Sequence, residues 1–219
     1  MDLMQAMQER HSVRKYLDKP IEAEKADRLQ KAIDEINAQS GLNIQLILNE
    51  PKAFSGGLAN YGKFEGCSNY FAVVGPKGAV ETAGYYGEKL VLIAQQLGLN
   101  TCWVALTYSK SKVPAKIGKG EKLLIVIALG YGKTQGHPHK NKPMESLCKV
   151  DGEMPDWFRS AMEAAMTAPT AINQQKFLFT LKGNTVKAKA FLGPESKLDL
   201  GIVKYHFELG AGEHKFEWA

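Results

Sequence analysis

Segments with a helical hydrophobic period alternate with short apolar runs along this chain, and that alternation predicts a mixed fold of α/β or α+β class. Two stretches carry the prediction. The run "KLLIVIALGYG" is continuous, apolar and β-branched, which suits a strand covered on both faces. The run "VETAGYYGEKLVLIAQQLG", Val80 to Gly98, is apolar on several sides, which suits a helix buried inside the domain, with Gly98 as its C-terminal stop.

The remaining elements follow in chain order. Leu3, Met4 and Met7 recur at helical spacing, and the run ends at Glu9-Arg10, so a short first helix is expected to stop there. Pro20 closes an extended piece. "IEAEKADRLQKAIDEIN" then sets Ala26, Leu29, Ile33 and Ile36 on one face of an amphipathic helix, and "NIQLILNE" after Gly41 reads as a strand. The glycine-rich "FSGGLANYGKFEGCSN" reads as loop, and "YFAVVG" as a short buried strand. After the buried helix come "TCWVALTY", a lysine-rich helical turn, the apolar strand already noted, and the polar loop "KTQGHPHKNKPMESL" with two prolines.

From about Pro155 the pattern repeats. "PDWFRSAMEAAMTAPTAINQQKFLFTLKG" is again a helix, a break and a strand, with Asp156, Ala161 and Met162 against Asp27, Ala32 and Ile33. The last helical stretch, "LGIVKYHFELGAGEHKFEW", aligns with "YGEKLVLIAQQLGLNTCW" so that Gly201 falls on Gly87 and Gly212 on Gly98. Two alignments in the same order favour a degenerate internal duplication. The expected boundary divides residues 1–150 from a truncated second half at 151–219.

Composition narrows the classes of function. At 219 residues and 44% hydrophobic the chain can bury a sizeable core. Its 28 Lys and Arg against 23 Asp and Glu leave a formal +5, but the lysines are scattered with no basic block. A nucleic-acid groove needs a denser stripe, so nucleic acid is the weakest of the partner classes, and scattered positive charge suits a small anionic ligand or solubility alone. Cys67, Cys102 and Cys148 are odd in number and without C-x-x-C spacing, which suggests neither a disulfide framework nor a zinc site. His11, His137, His139, His206 and His214 lack metal-ligand spacing. With no apolar run of the roughly 20 residues a membrane helix requires, the expectation is a cytoplasmic protein in a reducing compartment.

Two motifs carry candidate chemistry. In "RHSVRKY" the residues Arg10, Ser12 and Arg14 form R-x-S-x-R in a segment expected to be extended, where alternate side chains point the same way. Two guanidinium groups and a hydroxyl then converge on one spot, which suits a phosphate. The alternative is that Arg10 complements the dipole of the first helix and Arg14 is solvated. In "APTAINQQKF" Pro169 interrupts a helix, and Thr170, Asn173, Gln174 and Gln175 follow. Such groups can read a flat heterocycle with polar edges. They can also cap their own backbone turn.

Together with "LGLNTCWV" and "IALGYG", followed by a Lys-x-Lys before "PMESL", these motifs resemble the FMN-dependent nitroreductase family over nearly the whole chain. The usual family forms are close to R-R-S-x-R-x-F, A-P-S-x-x-N-x-Q-P-W, L-G-L-G-T-C-W and I-G-Y-P. The resemblance implies a nitroreductase-like α+β fold, with a central, mostly antiparallel sheet flanked by helices and an internal pseudo-duplication. In typical members the A-P-S motif follows the first helix of the first unit and contributes to a flavin site across a homodimer interface. Here that place holds "INAQSGLNIQ", and the motif sits in the second copy, which is similar to the subgroup with two nitroreductase-like halves in one chain. A monomer, an intrachain pseudo-dimer with one FMN, is the corresponding expectation.

Carried over position by position, the resemblance makes Arg10, Ser12 and Arg14, with His11 beside them, ligands of the FMN phosphate and ribityl chain. Lys140 and Lys142 fall where further basic groups for the phosphate are common. Pro169, Thr170, Ala171, Asn173 and Gln175 match positions that contact the isoalloxazine ring and ribityl hydroxyls, and Lys176-Phe177 replaces the usual Pro-Trp. Trp103, Val104, Ala105 and Leu106 align with the segment whose backbone approaches flavin N5 and O4, without the glycine common there. The implied activity is ping-pong hydride transfer from NADH or NADPH, through flavin N5, to a nitroaromatic, quinone or similar small-molecule acceptor. No protein nucleophile, metal or catalytic side chain is required, since the flavin carries the chemistry. The alternative is a flavin-binding store, sensor or electron-transfer protein without efficient turnover.

Overall fold

The computed structural model describes residues 1–219, and the chain divides into two compact units. The first comprises Met1–Ala79 and Lys89–His137, the second Val80–Glu88 and Pro138–Ala219. The fold is α+β. No helix is long and apolar enough to cross a membrane.

In the first unit, helix α1 (Leu3–Glu9) starts at Asp2, whose carboxylate accepts from the Gln5 backbone N–H at 2.8 Å, and ends at Arg10. Such an N-cap satisfies one of the amides that a helix start leaves without an intrahelical partner. Helix α2 (Ala23–Ser40) buries Leu29, Ile33 and Ile36, the face the periodicity predicts, and stops at Gly41 with φ 69°, a left-handed conformation that favours glycine. Asn37 ties this helix to the following strand β1 (Asn43–Ile47), donating to Ile44 O at 2.9 Å and accepting from Ile44 N at 2.8 Å. Strands β1, β2 (Asn69–Pro76), β4 (Glu121–Gly130) and β3 (Asn100–Val104) pair in that order, and every pair is antiparallel. The two inner strands, β2 and β4, are those with the most continuous apolar sequence, because both of their faces are covered. Phe54, Phe64, Tyr70 and Tyr108 pack together over one face of this sheet, in a core shared with Val13 and Tyr16.

The stretch read as glycine-rich loop contains a 3₁₀ turn at Lys52–Phe54 and a short helix α3 (Gly57–Tyr61). The turn forms because the Glu50 carboxylate accepts from the backbone N–H of Lys52 and Ala53 and from the Tyr70 hydroxyl, a tertiary contact that local composition does not announce.

Helix α4 (Val80–Gln96) exposes none of its residues, as expected for a buried helix. Its first part, Val80–Glu88, groups with the second unit, where glycine permits close approach to helix α6 (Ser196–Ala211). A Cβ added at Gly84 would lie 2.0 Å from Leu198 O, and one added at Gly201 would lie 1.9 Å from Glu81 O. Beyond the helix ends, Gly98 and Gly212 both have positive φ, 74° and 60°, which fits their alignment in the duplicated pattern.

The second unit has its own four-stranded sheet, β5 (Cys148–Val150), β6 (Phe177–Lys182), β7 (Thr185–Ala190) and β8 (Glu217–Trp218) in that order. The β6–β7 hairpin is antiparallel, while β5 and β8 join its two edges in parallel. Residues Pro138–Val150 therefore belong with this unit and not with the first 137: β5 pairs with β6, and the segment before it bonds to the turn described below. Strands β5 and β8, three and two residues long, have no period long enough to read, and pairing alone defines them. Helix α5 (Asp156–Ala165) lies against α6 at Gly210, where an added Cβ would meet Ala164 Cβ at 2.4 Å. Between these two helices and α4, His206 is fully buried, with Nε2 2.9 Å from Glu88 Oε1 and Nδ1 3.0 Å from Thr167 Oγ1. An aromatic cluster packs the fully buried Phe158, Phe179 and Phe207 against the half-buried Trp157, Phe216 and Trp218.

Candidate functional site

The Arg10–Tyr16 segment leaves α1 in extended conformation and runs along the sheet of the first unit. Ser12 bridges Thr101 of β3 in parallel, and the Val13 N–H donates to Thr101 O at 3.0 Å. Further on, Lys15 bridges Glu65 and Tyr16 bridges Gly132. Val13 and Tyr16 are buried and anchor the segment from below. The Asn100 side chain organises the loop beside it, accepting from Gly132 N at 2.9 Å and donating to Gln135 Oε1 at 2.9 Å. At Gly136, φ 75°, a Cβ would sit 2.7 Å from His11 Cβ, so that loop packs directly on the motif.

Cys102 of β3 adjoins the motif, next to Thr101, the bridge partner of Ser12. Its thiol hydrogen-bonds with the Ser12 hydroxyl, and the Arg14 and Arg10 guanidinium groups both act on it electrostatically. Burial is the larger effect and pushes this thiol up, as it pushes Cys67 up to about 12, so both thiols stay protonated and unreactive at neutral pH. In extended backbone a period of two sets alternate side chains such as these three on one side of the segment. Arg10 is 3% exposed and Arg14 lies at the surface, which grades the site from a buried to an open charge. In the same unit Trp103 and Val104 occupy the end of β3, opposite Ile127 and Val126 of β4, and Ala105 follows half-buried. Leu106 is 79% exposed.

The second motif forms a turn in the other unit. Thr170 is extended, and the Asn173 N–H donates back to its carbonyl at 3.0 Å. Ile172, Asn173 and Gln175 all have positive φ, at 48°, 54° and 44°. For a β-branched residue such as Ile172 this is a strained conformation, costing about 1–2 kcal/mol. The polar side chains of the motif hold this backbone. Asn173 Nδ2 donates to Lys140 O at 2.9 Å, and Gln175, 3% exposed, donates to Lys140 O at 2.8 Å and accepts from Lys142 N at 3.0 Å. Thr170 Oγ1 accepts from Gln175 N at 3.1 Å. Lys140 and Lys142 accordingly group with the turn, and the Lys142 ammonium donates to Gln174 O and Gln175 O at 2.7 and 3.2 Å. The turn is braced from its other side by Asp199, a buried carboxylate in the first turn of α6.

Sequence reasoning missed Asp199, and it missed the Glu88–His206–Thr167 chain. The available signal was charge inside apolar helices: Glu88 falls within "YYGEKLVLIA" and Asp199 within "LDLGIV". Burial pushes the Asp199 carboxyl up to about 6, while its bonds from Gln174 and Ala171 pull the other way. No group of three or more His, Cys, Asp or Glu side chains is placed to hold a metal ion.

Residues 2–211 match the family model described as "Putative TM nitroreductase". No curated protein matches the chain. Among solved structures, a "putative nitroreductase" from Thermotoga maritima MSB8 is similar at 21% identity and a TM-score of 0.69, covering 96% of this chain and 83% of that one. A "putative nitroreductase in complex with FMN" from Desulfovibrio desulfuricans is similar at 18% identity and 0.54, covering 71% and 98%. A structure described as "Putative NADH dehydrogenase/NAD(P)H nitroreductase", from Bacteroides thetaiotaomicron, is similar at 20% identity and 0.52, covering 66% and 95%. At these identities the structures establish a common fold, while the family model spans nearly the whole sequence. The chain belongs to this nitroreductase-like family.

Proposed function

We propose that this chain is an FMN-dependent oxidoreductase that oxidises NADH or NADPH and reduces a nitroaromatic, quinone or similar acceptor. Family membership supports a nitroreductase-like oxidoreductase, and what supports the finer reading is the R-x-S-x-R pattern of Arg10, Ser12 and Arg14 in the extended segment that bridges β3 at Thr101. Two guanidinium groups flanking a hydroxyl fit the phosphate of FMN in both charge and hydrogen-bond direction. The related fold from Desulfovibrio desulfuricans is described with FMN, which supports the same assignment.

Arg10, Ser12 and Arg14 would hold the phosphate, with His11 at its side. The backbone of Trp103–Leu106 and that of Pro169–Gln175 are the candidates for contacts to the ring and ribityl chain. In the second segment the side chains of Asn173 and Gln175 already bond within the protein and Thr170 Oγ1 accepts from Gln175 N, so the Thr170 hydroxyl hydrogen and the backbone groups at Ile172 would be the ones offered to a ligand. Lys140 and Lys142 support that turn. When bound, FMN supplies the hydride chemistry between the nicotinamide and the acceptor. The protein then contributes binding, orientation and a shaped approach, and no side chain is assigned a catalytic proton transfer.

The test is a titration of the purified protein with FMN and with riboflavin, followed by steady-state oxidation of NADH and NADPH with a quinone and a nitroaromatic acceptor. Tight FMN binding, weaker riboflavin binding and acceptor-dependent turnover are expected. Equal affinity for the two flavins overturns the phosphate assignment. FMN binding without turnover leaves a flavin-binding store or electron-transfer protein instead.

A further inference from the structure

The Thr170–Gln175 turn is exposed at its tip, where Ile172 is 87% accessible, yet it carries three non-glycine residues in left-handed backbone. A chain reversal of that kind could be made with glycine at no steric cost. Strain kept in an exposed turn points to function, and it persists only where the surroundings over-determine the conformation. We propose that Asp199 is the positioning residue of this turn, holding its backbone in the conformation that meets the flavin. The assignment rests on the function proposed above.

The hydrogen-bond inventory carries the argument. Gln174 Nε2 has two hydrogens, and both are directed: one to Pro194 O at 2.6 Å, the other to Asp199 Oδ2 at 2.7 Å. Reversing the amide would face its oxygen against two acceptors, so its orientation is determined. The Ala171 N–H donates to the same carboxylate, 3.0 Å from Oδ1 and 3.2 Å from Oδ2. Asp199 therefore accepts from the backbone at the start of the turn and from a side chain beyond its strained tip. Lys142 clamps the opposite edge through Gln174 O and Gln175 O. Only an acceptor-only group fits between the Ala171 and Gln174 donors. Asparagine has the same shape but one oxygen and one NH₂ group, so one of the two donors would face another donor.

A carboxylate that is 4% exposed is expensive to desolvate unless its bonds compensate. Here those bonds end on an exposed turn and not on core elements. Glu195, one helical turn before Asp199, adds a like charge and opposes ionisation further. The arrangement suits a group retained for the geometry it imposes on the turn.

The experiment compares wild type, Asp199→Asn and Gln174→Met in the full chain by three readouts: affinity for FMN and for riboflavin, the Ala171 amide resonance in ¹⁵N–¹H spectra, and the thermal midpoint. Asp199→Asn is expected to shift the Ala171 resonance and to weaken FMN and riboflavin by the same factor, about tenfold to a hundredfold, since the turn meets the part common to both. Gln174→Met, which leaves α6 untouched, should act in the same direction by a smaller factor. A general loss of structure would instead appear in the thermal midpoint and in resonances far from the turn. Unchanged flavin affinities in a variant whose Ala171 resonance has moved overturn the positioning role, and so does an unmoved Ala171 resonance in both variants. If the wild-type chain binds neither flavin, the proposed function has failed, and the positioning role falls with it. The Ala171 resonance still decides whether Asp199 holds the turn.

Discussion

The Arg10–Tyr16 segment and the Thr170–Gln175 turn are both short, polar and adjacent to a helix end, but they use their side chains in opposite ways. In the first, backbone bridges to Thr101, Glu65 and Gly132 fix the chain. In the second, the side chains of Thr170, Asn173 and Gln175 fix the chain, and Ile172 at its tip is exposed. A polar motif can therefore be held in place by sheet pairing or by its own side chains. What separates the two is whether sheet pairing already satisfies the local backbone.

The comparison can be broken most directly through the arginines. Replacing Arg10 and Arg14 together with alanine should weaken FMN by about 3–6 kcal/mol, at roughly 1.5–3 kcal/mol for each charged hydrogen bond, and leave riboflavin nearly unaffected. Isothermal titration with both flavins checks this. A comparable loss of riboflavin would place these groups in the scaffold class with the turn.

The next effect is a pH dependence centred on the turn. The folded-state pKa of Asp199 is raised from 3.8 to about 6, so the native chain binds the extra proton in that window. The stability this contributes is fully present below about 3.8 and is lost as pH rises through about 6. Relative to Asp199→Asn, the wild type should lose about 2.4 kcal/mol of unfolding free energy between pH 4 and pH 7. Denaturant titrations of both chains at the two pH values measure the difference, and a flat difference would mean the carboxylate is solvated.

Gln175→Ala tests the scaffold role of a side chain first expected to be a ligand. It removes the partners of Lys142 N and, in part, of Lys140 O, and should destabilise the chain by about 2 kcal/mol in urea unfolding even without flavin. The smallest effect is a gain. Ile172→Gly relieves a β-branched left-handed residue that makes no core contact, and should raise stability by about 1 kcal/mol in the same assay.

Much of the first unit was legible because its signals are local. Leu29, Ile33 and Ile36 mark the buried face of α2 by period alone, and the continuous apolar run of β4 marks an inner strand. Strand β7, "TVKAKA", alternates valine and alanine with lysines and lies on a sheet only because β6 pairs with it. The 3₁₀ turn at Lys52–Phe54 depends on Glu50, which also meets Tyr70, twenty residues away.

By itself the sequence determined a mixed α and β class, the duplicated order of helix and strand, and the R-x-S-x-R pattern, because period, glycine stops and charge are properties of neighbouring residues. Tertiary structure decided the rest. Which unit Val80–Glu88 and Pro138–Val150 join depends on a glycine-lined helix contact and on a parallel strand pair. The roles of Asn173 and Gln175 depend on carbonyls and amides contributed from residues 140 and 142. A hydrogen-bonding side chain looks the same in sequence whether its partner is a ligand or the protein's own backbone, and only the folded chain brings that partner within 3 Å.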